Sequence, residues 1–480
     1  MTLVFDNHTA FDALQYEMLD QFNHAFHVVV CKIAYAIGPA GLRESDHSPG
    51  WATLTPLPQA ALLLSEDEYF GEMLRTGVRM ESDLAPFKPR CDVIVNASAY
   101  PPHAATQCQV RLIVQRPSTP APLPEPPRGL NQHMAASEQA LRAWRTEVAL
   151  AQRSRIPGAR LIDKTLMVYG ERHLWREGNR WNLSAPQAFS QMPIRYEMAL
   201  GGECRVNAGD AAAARVPAHA RLSAEQLAAH PDVAAPPDLQ PVAHTAYEYN
   251  LLGRGYSQAW YWQASQCQTL AAPRIEYPGQ PFHAEMFSKL ANNALTPDSL
   301  PAVAGLGCVG RAWLPRRQLI GQFQAKAHYA EDEYPELPQD FDFGYWNCAP
   351  RDQQCAHLLG DEEFALINLC APDAATASIN QQQDTQLRFQ LPGHVFYLAL
   401  EDATGRFGVK PLLIDTVTIA PDENRLEVVW RAVLSTTAQL TGAQLRFVQS
   451  PEQLAQLETM LAMQHSFAQE MNASEVPYGA

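Results

Sequence analysis

The strongest constraint on the fold is a pair of alternating segments near the C-terminal end of the chain. Residues 412–419 lead through the turn sequence P-D-E-N into residues 425–433. Apolar and charged residues alternate in the second segment, as at Leu426, Glu427 and Val428. A period of two is typical of a strand with one face in a core and the other in water. The pattern therefore predicts an antiparallel hairpin with one buried face and one wet face.

Other β-type segments precede this hairpin and are marked by β-branched residues or alternation. They cover residues 27–37, 93–95, 109–115 and 163–175, and Trp181 is expected in the hairpin partner of the last one. We expect residues 93–95 and 109–115 to form a hairpin with each other. The chain also contains 37 prolines, whose fixed φ angle and missing N–H group favour turns, edge strands and irregular connections.

Helical patterns are few. Residues 135–152 place apolar residues such as Leu141 and Val148 on one helical face. A short helix is expected near residues 223–230, and a C-terminal helix is expected after the natural N-cap Ser450. The apolar stripe of that last helix would be Leu454, Leu457 and Leu461.

Strands do not alternate with helices in the way that a doubly wound parallel sheet requires. The sequence therefore predicts a mainly β (α+β) protein with antiparallel sheets or sandwich-like β domains, peripheral helices and long proline-rich loops.

Four regions follow from these patterns. Residues 1–116 form an N-terminal β-rich region, and residues 117–162 form an inserted proline-rich linker and helix. Residues 163–350 form a central region rich in strands and loops, with an Ala/Pro-rich insertion at 208–245. Residues 351–480 hold the C-terminal hairpin and the terminal helix.

The net charge of −15 argues against binding to nucleic acid or to an anionic membrane surface, because both need clustered basic residues. It fits a soluble protein, or one that meets a basic partner. No apolar run approaches the roughly 18 residues of a membrane span. The N-terminus lacks the pattern of a signal peptide, and nine scattered cysteines suit a reducing compartment. We therefore expect a cytoplasmic protein.

The sequence G-L-G-C-V-G at residues 305–310 matches a dinucleotide-binding motif in letters only. Such a motif must lie between a strand and a helix, so that the helix N-terminus meets the pyrophosphate. Pro315 would stop a helix here after one turn. The segment is better interpreted as a glycine turn.

No other pattern predicts catalysis, a metal or a cofactor. Cys348, Cys355 and His357 have a spacing that is poor for zinc, which favours structural cysteines. The G-x-S-x-G and G-x-x-x-x-G-K-[ST] motifs are absent. We predict no catalytic residue, no metal ligand and no cofactor.

The stretch at residues 80–96 is rich in charged residues and leads directly into an apolar strand. Its carboxylates Glu81, Asp83 and Asp92 could work as a general acid and base, with His103 nearby in sequence. Carboxylates are also common in ion pairs.

Lys88 and Arg90 are close enough in sequence to neutralise these carboxylates. The favoured interpretation of the stretch is therefore an ion-paired, proline-ordered approach to a buried strand.

Seven blocks of the chain, in order, resemble a domain-of-unknown-function family of Gram-negative bacteria. The first reads E-S-D-L-A-P-F-K-P-R-C-D-V-I-V-N, and the blocks cover residues 81–96, 163–175, 192–202, 250–256, 304–316, 340–354 and 413–431. Members of that family are typically encoded beside the VgrG spike, PAAR tip proteins and toxins of the type VI secretion system. The resemblance implies an adaptor or chaperone that binds a toxin effector and helps to load it onto the VgrG–PAAR spike.

Within these blocks, twelve residues serve as family markers and as candidates for interaction with a partner. They are Glu81, Asp83, Lys88, Asp92, Lys164, Arg195, Tyr196, Glu197, Arg254, Arg311, Trp313 and Trp346. The expected partners are a toxin effector and a VgrG or PAAR protein.

Two other functions stay open on the sequence. One is an enzyme that acts on a carbohydrate-like small substrate through Asp83, Asp92 and His103. The other is a structural component of the spike or baseplate. Aromatic clusters such as residues 260–262 and 345–346 could serve as contact anchors, although core packing is the more common role of such residues.

Overall fold

The computed structural model describes residues 3–460, with gaps at 44–45, 59, 74, 128–136, 179, 295–298, 326–336 and 437–438. Most of the regular structure consists of strands, and the helices are short or peripheral. The predicted mainly β (α+β) class is confirmed.

A 13-stranded main sheet forms the centre of the molecule. From one edge to the other, its strands are Ile275–Glu276, Arg160–Tyr169, Gln107–Gln115, Glu363–Ile367, Thr385–Gln390, Pro49–Leu57, Ala25–Leu42, Arg425–Ser435, Leu413–Ala420, Cys91–Val95 and Gln354–Cys355. Asp12–Leu19 pairs with the first half of Ala25–Leu42, and Ser378–Ile379 pairs with Thr385–Gln390. Three of the four sequence regions thus contribute whole strands to one sheet, and Arg160–Tyr169 begins inside the fourth.

The C-terminal hairpin lies in the middle of this sheet. Leu413–Ala420 and Arg425–Ser435 pair antiparallel, and Asn424 turns the chain with a left-handed backbone. The predicted hairpin is confirmed, but the expected wet face was wrong, because both faces of Arg425–Ser435 are buried. Residues 80–90 lie over the charged face and take the place of water.

The strand Cys91–Val95 does not form a hairpin with Gln107–Gln115, in contrast to the sequence prediction. It pairs in parallel with Leu413–Ala420 and antiparallel with Gln354–Cys355. All five of its residues are buried, and a strand without an exposed face needs neighbours on both sides. Those neighbours come from the C-terminal half of the chain, which a local turn pattern cannot indicate.

A second sheet packs on the apolar face of the main sheet and makes the fold sandwich-like. Its order is Val4–Asn7, Leu440–Val448, Val395–Asp402 and Phe407–Pro411. The ring of Phe396 meets the ring of Trp430 edge to face at 5.0 Å between centroids. The core between the two sheets is continuous and includes Tyr35, Phe389 and Leu445.

Smaller sheets extend the central region. His173–Glu177 pairs with Arg180–Leu183, so Trp181 lies in a hairpin partner as the sequence predicts. The single β segment expected at 163–175 was wrong, because its first part belongs to Arg160–Tyr169 in the main sheet and only its end belongs to His173–Glu177. Glu203–Asn207 pairs with Pro241–Ala246 and so closes the base of the insertion at 208–245. The other short pairings join Thr119–Pro120 to Arg155–Ile156, Glu68–Tyr69 to Val78–Met80, Ser98–Ala99 to Met192–Pro193, Leu200–Gly201 to Arg254–Gly255, and His173–Glu177 to Thr269–Ala271.

The helices lie at the periphery, as predicted. They are Glu138–Arg153, Ala224–Ala228, Ala259–Ser265, Ala284–Ala291 and Leu314–Arg317, with a last helix from residue 451. The side chain of Ser137 caps the first helix by accepting a hydrogen bond from the N–H of Ala140. Ser450 Oγ accepts one from the N–H of Gln453 at 3.4 Å, and Leu461 lies outside the described residues.

Candidate binding cleft and the charge network behind it

One face of the main sheet carries charged side chains where the other carries the apolar core. Lys32, Asp92, Glu427 and Arg431 are all buried on this face. Their neighbours in sequence, such as Cys31, belong to the core. Successive side chains of a strand point to opposite faces, so the alternation that predicts a hairpin also builds this charged surface.

The covering segment, residues 80–90, neutralises the charged face. Lys88 Nζ lies 3.0 Å from Asp92 Oδ2, and Asp83 Oδ2 lies 3.0 Å from Lys32 Nζ. All four side chains are buried. The predicted pairing of Lys88 with a carboxylate of this stretch is confirmed.

Glu81 pairs with arginines that the sequence did not indicate. Its carboxylate forms a buried ion pair with Arg316 and lies 3.4 Å from Arg311 Nη2. Burial favours a higher pKa for Glu81, but the guanidinium of Arg316 outweighs it and the pKa is lowered. Arg90 is exposed and donates to the carbonyl oxygen of Gln354 at 2.9 Å. The expected pairing of Arg90 was wrong, because the carboxylate of Glu81 pairs with Arg316, which is 235 residues from Glu81 along the chain.

Opposite charges balance on this face, and we call the set the buried charge network. Its carboxylates are Glu81, Asp83, Asp92, Asp415 and Glu427, and its bases are Lys32, Lys88, Arg311, Arg316 and Arg431. Burial works against the charge on Lys88, but the Asp92 carboxylate overcomes it and raises the pKa of the amine. The network therefore consists of mutually neutralised charges, each of which would be costly to leave buried without its partner.

The side chains of the enzymatic hypothesis do not meet in a shared pocket. Asp83 and Asp92 are buried in ion pairs, whereas His103 is exposed. A general acid or base must reach its substrate, and these two carboxylates face basic groups instead.

The buried charge network also holds two irregular segments in place. Arg316 donates to the carbonyl oxygens of Val309 and Tyr345, at 2.8 Å and 2.6 Å. Asp92 Oδ2 accepts a hydrogen bond from the N–H of Cys348 at 3.0 Å. The backbone around these residues is not part of a sheet, so these bonds supply the order that strand pairing gives elsewhere.

The two segments border an open cleft of about 830 Å³, which we call the aromatic cleft. Its aromatic lining residues are Tyr196, Tyr247, Tyr249, Tyr277 and Trp313, and its prolines are Pro89, Pro301, Pro315 and Pro350. The volume lies within the range of about 300–1,000 Å³ that is common for ligand sites. Tyrosine and tryptophan combine a large apolar surface with a polar tip, which suits them to binding surfaces.

The glycine-rich motif at residues 305–310 packs against two aromatic rings that line this cleft. The ring of Tyr196 meets that of Trp313 edge to face, with centroids 5.0 Å apart. A Cβ at Gly305 would overlap the Tyr196 ring, and a Cβ at Gly310 would lie 2.8 Å from Trp313 Nε1. The motif does not join a strand to a helix, and its first and last glycines make room for the two aromatic rings. The segment is irregular, with a bend at residues 306–307.

Lys164 is a buried residue that holds Asp352, one of the lining residues of the cleft. Its Nζ lies 2.7 Å from Asp352 Oδ1, and the hydroxyl of Tyr277 donates to Asp352 Oδ2 at 2.8 Å. The Lys164 side chain is 1% exposed, whereas that of Asp352 is 42% exposed. Burial lowers the pKa of Lys164 to about 8 and outweighs the opposing effect of the carboxylate. Asp352 is thus held rigidly at the edge of the cleft.

The remaining candidate residues connect the surrounding loops. Arg195 stacks at 4.1 Å on an aromatic ring within residues 68–80, and Glu197 accepts a 2.8 Å hydrogen bond from a backbone N–H of the same segment. Arg254 lies in a two-residue strand that pairs with Leu200–Gly201. Trp346 lies beside the buried charge network, with an arginine guanidinium 5.6 Å from its ring.

Eight of the twelve candidates thus belong to two adjoining structures. Five belong to the buried charge network, namely Glu81, Asp83, Lys88, Asp92 and Arg311. Tyr196 and Trp313 line the cleft, and Lys164 holds one of its lining residues. Sequence reasoning missed Tyr247, Tyr249 and Tyr277, although the first two belong to a tyrosine-rich stretch at residues 247–256.

The cysteines considered for zinc do not converge. Cys348 Sγ lies 3.3 Å from Cys308 Sγ, and Cys355 lies opposite Cys91 in neighbouring strands. His357 Nε2 contacts the carbonyl oxygen of Lys88 at 3.0 Å. Trp260, from the aromatic cluster at 260–262, is buried in a small apolar cluster and so packs within the fold.

The fold and the site together define a mainly β protein in which the buried charge network holds the backbone around the aromatic cleft. Residues 23–121 and 132–431 match the family described as an uncharacterized protein conserved in bacteria (DUF2169), and the chain belongs to that family. Searches of curated proteins and of solved structures each found no significant match. Among the described residues, no helix has the length and apolar character needed to cross a membrane.

Proposed function

We propose that this protein is a cytoplasmic adaptor or chaperone that binds a toxin effector and helps to load it onto the VgrG–PAAR spike of a type VI secretion system. The aromatic cleft is the observation that supports the binding role. The identity of the partners rests on the ordered sequence blocks that resemble the secretion-associated family.

The cleft has the composition of a protein-binding surface. Tyrosine and tryptophan are enriched among the residues that contribute most to protein interfaces, and they lose little conformational freedom on binding. Tyr249 and Leu319 are half-buried in the cleft and offer apolar surface to a partner. The buried charge network fixes the surrounding backbone before a partner arrives, which reduces the entropy lost on association.

Co-purification tests this function directly. The tagged protein is produced together with the toxin encoded beside it, and separately with the neighbouring VgrG or PAAR protein. We expect the wild-type protein to retain the toxin and to form a ternary complex with the spike protein. Failure to retain either one, with every component soluble, would contradict the proposal.

A pair of variants then tests whether the cleft is the binding surface. The double variant Tyr249→Ala/Leu319→Ala removes apolar surface from the cleft. Phe407→Ala/Leu413→Ala removes similar side chains, which are 54% and 47% exposed, from a different part of the surface. Only the first variant should lose the toxin, by a factor of about ten or more.

A further inference from the structure

Two exposed arginines line the aromatic cleft, and no described carboxylate forms an ion pair with either of them. Arg90 and Arg351 both line the cleft, and both are exposed. Arg90 donates to the backbone carbonyl of Gln354, three residues beyond Arg351, so the segments that carry the two arginines are in contact. Within the part of the chain that the structure describes, neither guanidinium forms an ion pair with a carboxylate.

Two of the other charges of the cleft are already paired, Arg316 with Glu81 and Asp352 with Lys164. Asp342 accepts a 2.7 Å hydrogen bond from the N–H of Gly344, and among the described residues its carboxylate forms no ion pair. One unpaired carboxylate therefore faces two unpaired arginines in the lining. The cleft therefore carries a small excess of positive charge on a protein whose net charge is −15. A local charge opposite to that of the whole molecule indicates a selective site.

We infer that the aromatic cleft binds an extended acidic segment of a partner protein, and that Arg90 and Arg351 bind its carboxylates. This inference rests on the proposed function, because it names the chemistry of the segment that the same cleft would hold.

The chemistry of the lining fits such a segment. A planar guanidinium can donate two parallel hydrogen bonds to a carboxylate, and it is less strongly hydrated than a lysine amine. The tyrosine rings and Trp313 provide flat faces for apolar or proline side chains of an extended chain, as in other aromatic-lined peptide grooves. An acidic segment with interspersed apolar residues would satisfy both parts of the cleft.

A selection from random peptides tests the inference without knowledge of the natural partner. A phage-displayed library of peptides of about ten residues, which reach about 33 Å when extended, is selected on the wild-type protein. The same library is selected on Arg90→Glu/Arg351→Glu and on the control Arg145→Glu/Arg180→Glu. The control changes the net charge equally at two exposed arginines outside the cleft.

We expect acidic peptides with apolar residues from the wild-type protein and from the control, but not from the cleft variant. The best peptide should bind the cleft variant about tenfold more weakly or worse, measured by fluorescence anisotropy, and the control within about twofold.

Enrichment of basic or uncharged peptides, no enrichment at all, or equal enrichment on the cleft variant would overturn the inference. Tighter binding of a labelled ten-nucleotide oligothymidine than of the best peptide would also overturn it, since the arginines would then serve phosphates. If the toxin still co-purifies through Tyr249 and Leu319, the proposed function survives such a result. If the toxin never co-purifies, the proposed function fails whatever the library yields.

Discussion

Lys88 Nζ lies 3.0 Å from Asp92 Oδ2 and donates to Thr416 Oγ1 at 2.8 Å, with all three side chains buried. Lys88 belongs to the covering segment, whereas Asp92 and Thr416 lie on neighbouring strands of the main sheet. One amine therefore joins the segment to the sheet, and its carboxylate partner also holds the backbone beside the cleft.

Removal of Lys88 should destabilise the protein strongly. Lys88→Ala leaves the Asp92 carboxylate buried without its counter-charge, which typically lowers the free energy of unfolding by about 3–5 kcal/mol. Arg90→Ala is the matched control, because Arg90 is exposed two residues away, and the loss of its one hydrogen bond should lower this free energy by about 1 kcal/mol or less. Urea denaturation measures both. Equal effects of the two substitutions would show that the buried pair has no special role.

The sequence was sufficient to predict the hairpin at residues 412–433 and the charged approach to Cys91–Val95, since both are local patterns. It could not predict that the two structures cover each other. Arg316 reaches Glu81 across 235 residues, and no local periodicity carries that information. The pairing of Cys91–Val95 with Leu413–Ala420 was missed for the same reason, because it depends on how distant segments pack.

The candidate site, like the fold, could be predicted only in part from the sequence. The block resemblance indicated Tyr196 and Trp313, but only the packing of their rings against Gly305 and Gly310 reveals a cleft. The tyrosines that complete the wall come from two loops without a shared motif, one with Tyr247 and Tyr249 and the other with Tyr277.

Alanine substitutions at the first and second glycines of the motif, Gly305 and Gly307, should have different effects on the free energy of unfolding. Gly305→Ala places a methyl group against the Tyr196 ring and should lower the free energy of unfolding by about 1–3 kcal/mol. Gly307→Ala is the control, because its nearest neighbour would be Asn96 Oδ1 at 3.9 Å. Thermal or urea unfolding distinguishes them. A Gly307→Ala variant as unstable as Gly305→Ala would mean that backbone conformation, not the ring contact, requires glycine.

The stability contributed by Lys164 should increase with pH above neutrality. The amine titrates near 10.5 in an unfolded chain and at about 8 in the folded protein. Between these values the unfolded chain binds more protons, so the free energy of unfolding rises with pH over that window.

Urea denaturation of the wild-type protein and of Lys164→Met between pH 8 and 10 tests this linkage. Between pH 8 and 10 the free energy of unfolding of the wild-type protein should increase by about 2 kcal/mol relative to that of the variant. Below about pH 7 the difference between the two proteins should be constant, because the amine is then charged in both the folded and the unfolded chain. Parallel curves above pH 8 would show that the buried amine keeps its ordinary pKa.

Thiol reactivity should single out one cysteine of nine. Eight are buried, and Cys267 alone is partly exposed. Because a thiol reagent must reach the sulfur, the native protein should release one equivalent of thiolate rapidly with Ellman's reagent. Cys267→Ser should abolish that fast phase, and the remaining thiols should react only in denaturant. A second fast thiol in the native protein would contradict the burial of the other eight cysteines.

Site-specific photo-crosslinking tests most directly whether the aromatic cleft holds a partner protein. A benzophenone amino acid replaces Leu319 in the cleft, or Ile379, which is 55% exposed on a separate strand, during co-production with the neighbouring toxin and spike protein. We predict a covalent adduct with the toxin from position 319 and none from position 379. An adduct from position 379 alone, or none from position 319 while the complex co-purifies, would contradict the assignment of the cleft as the binding surface.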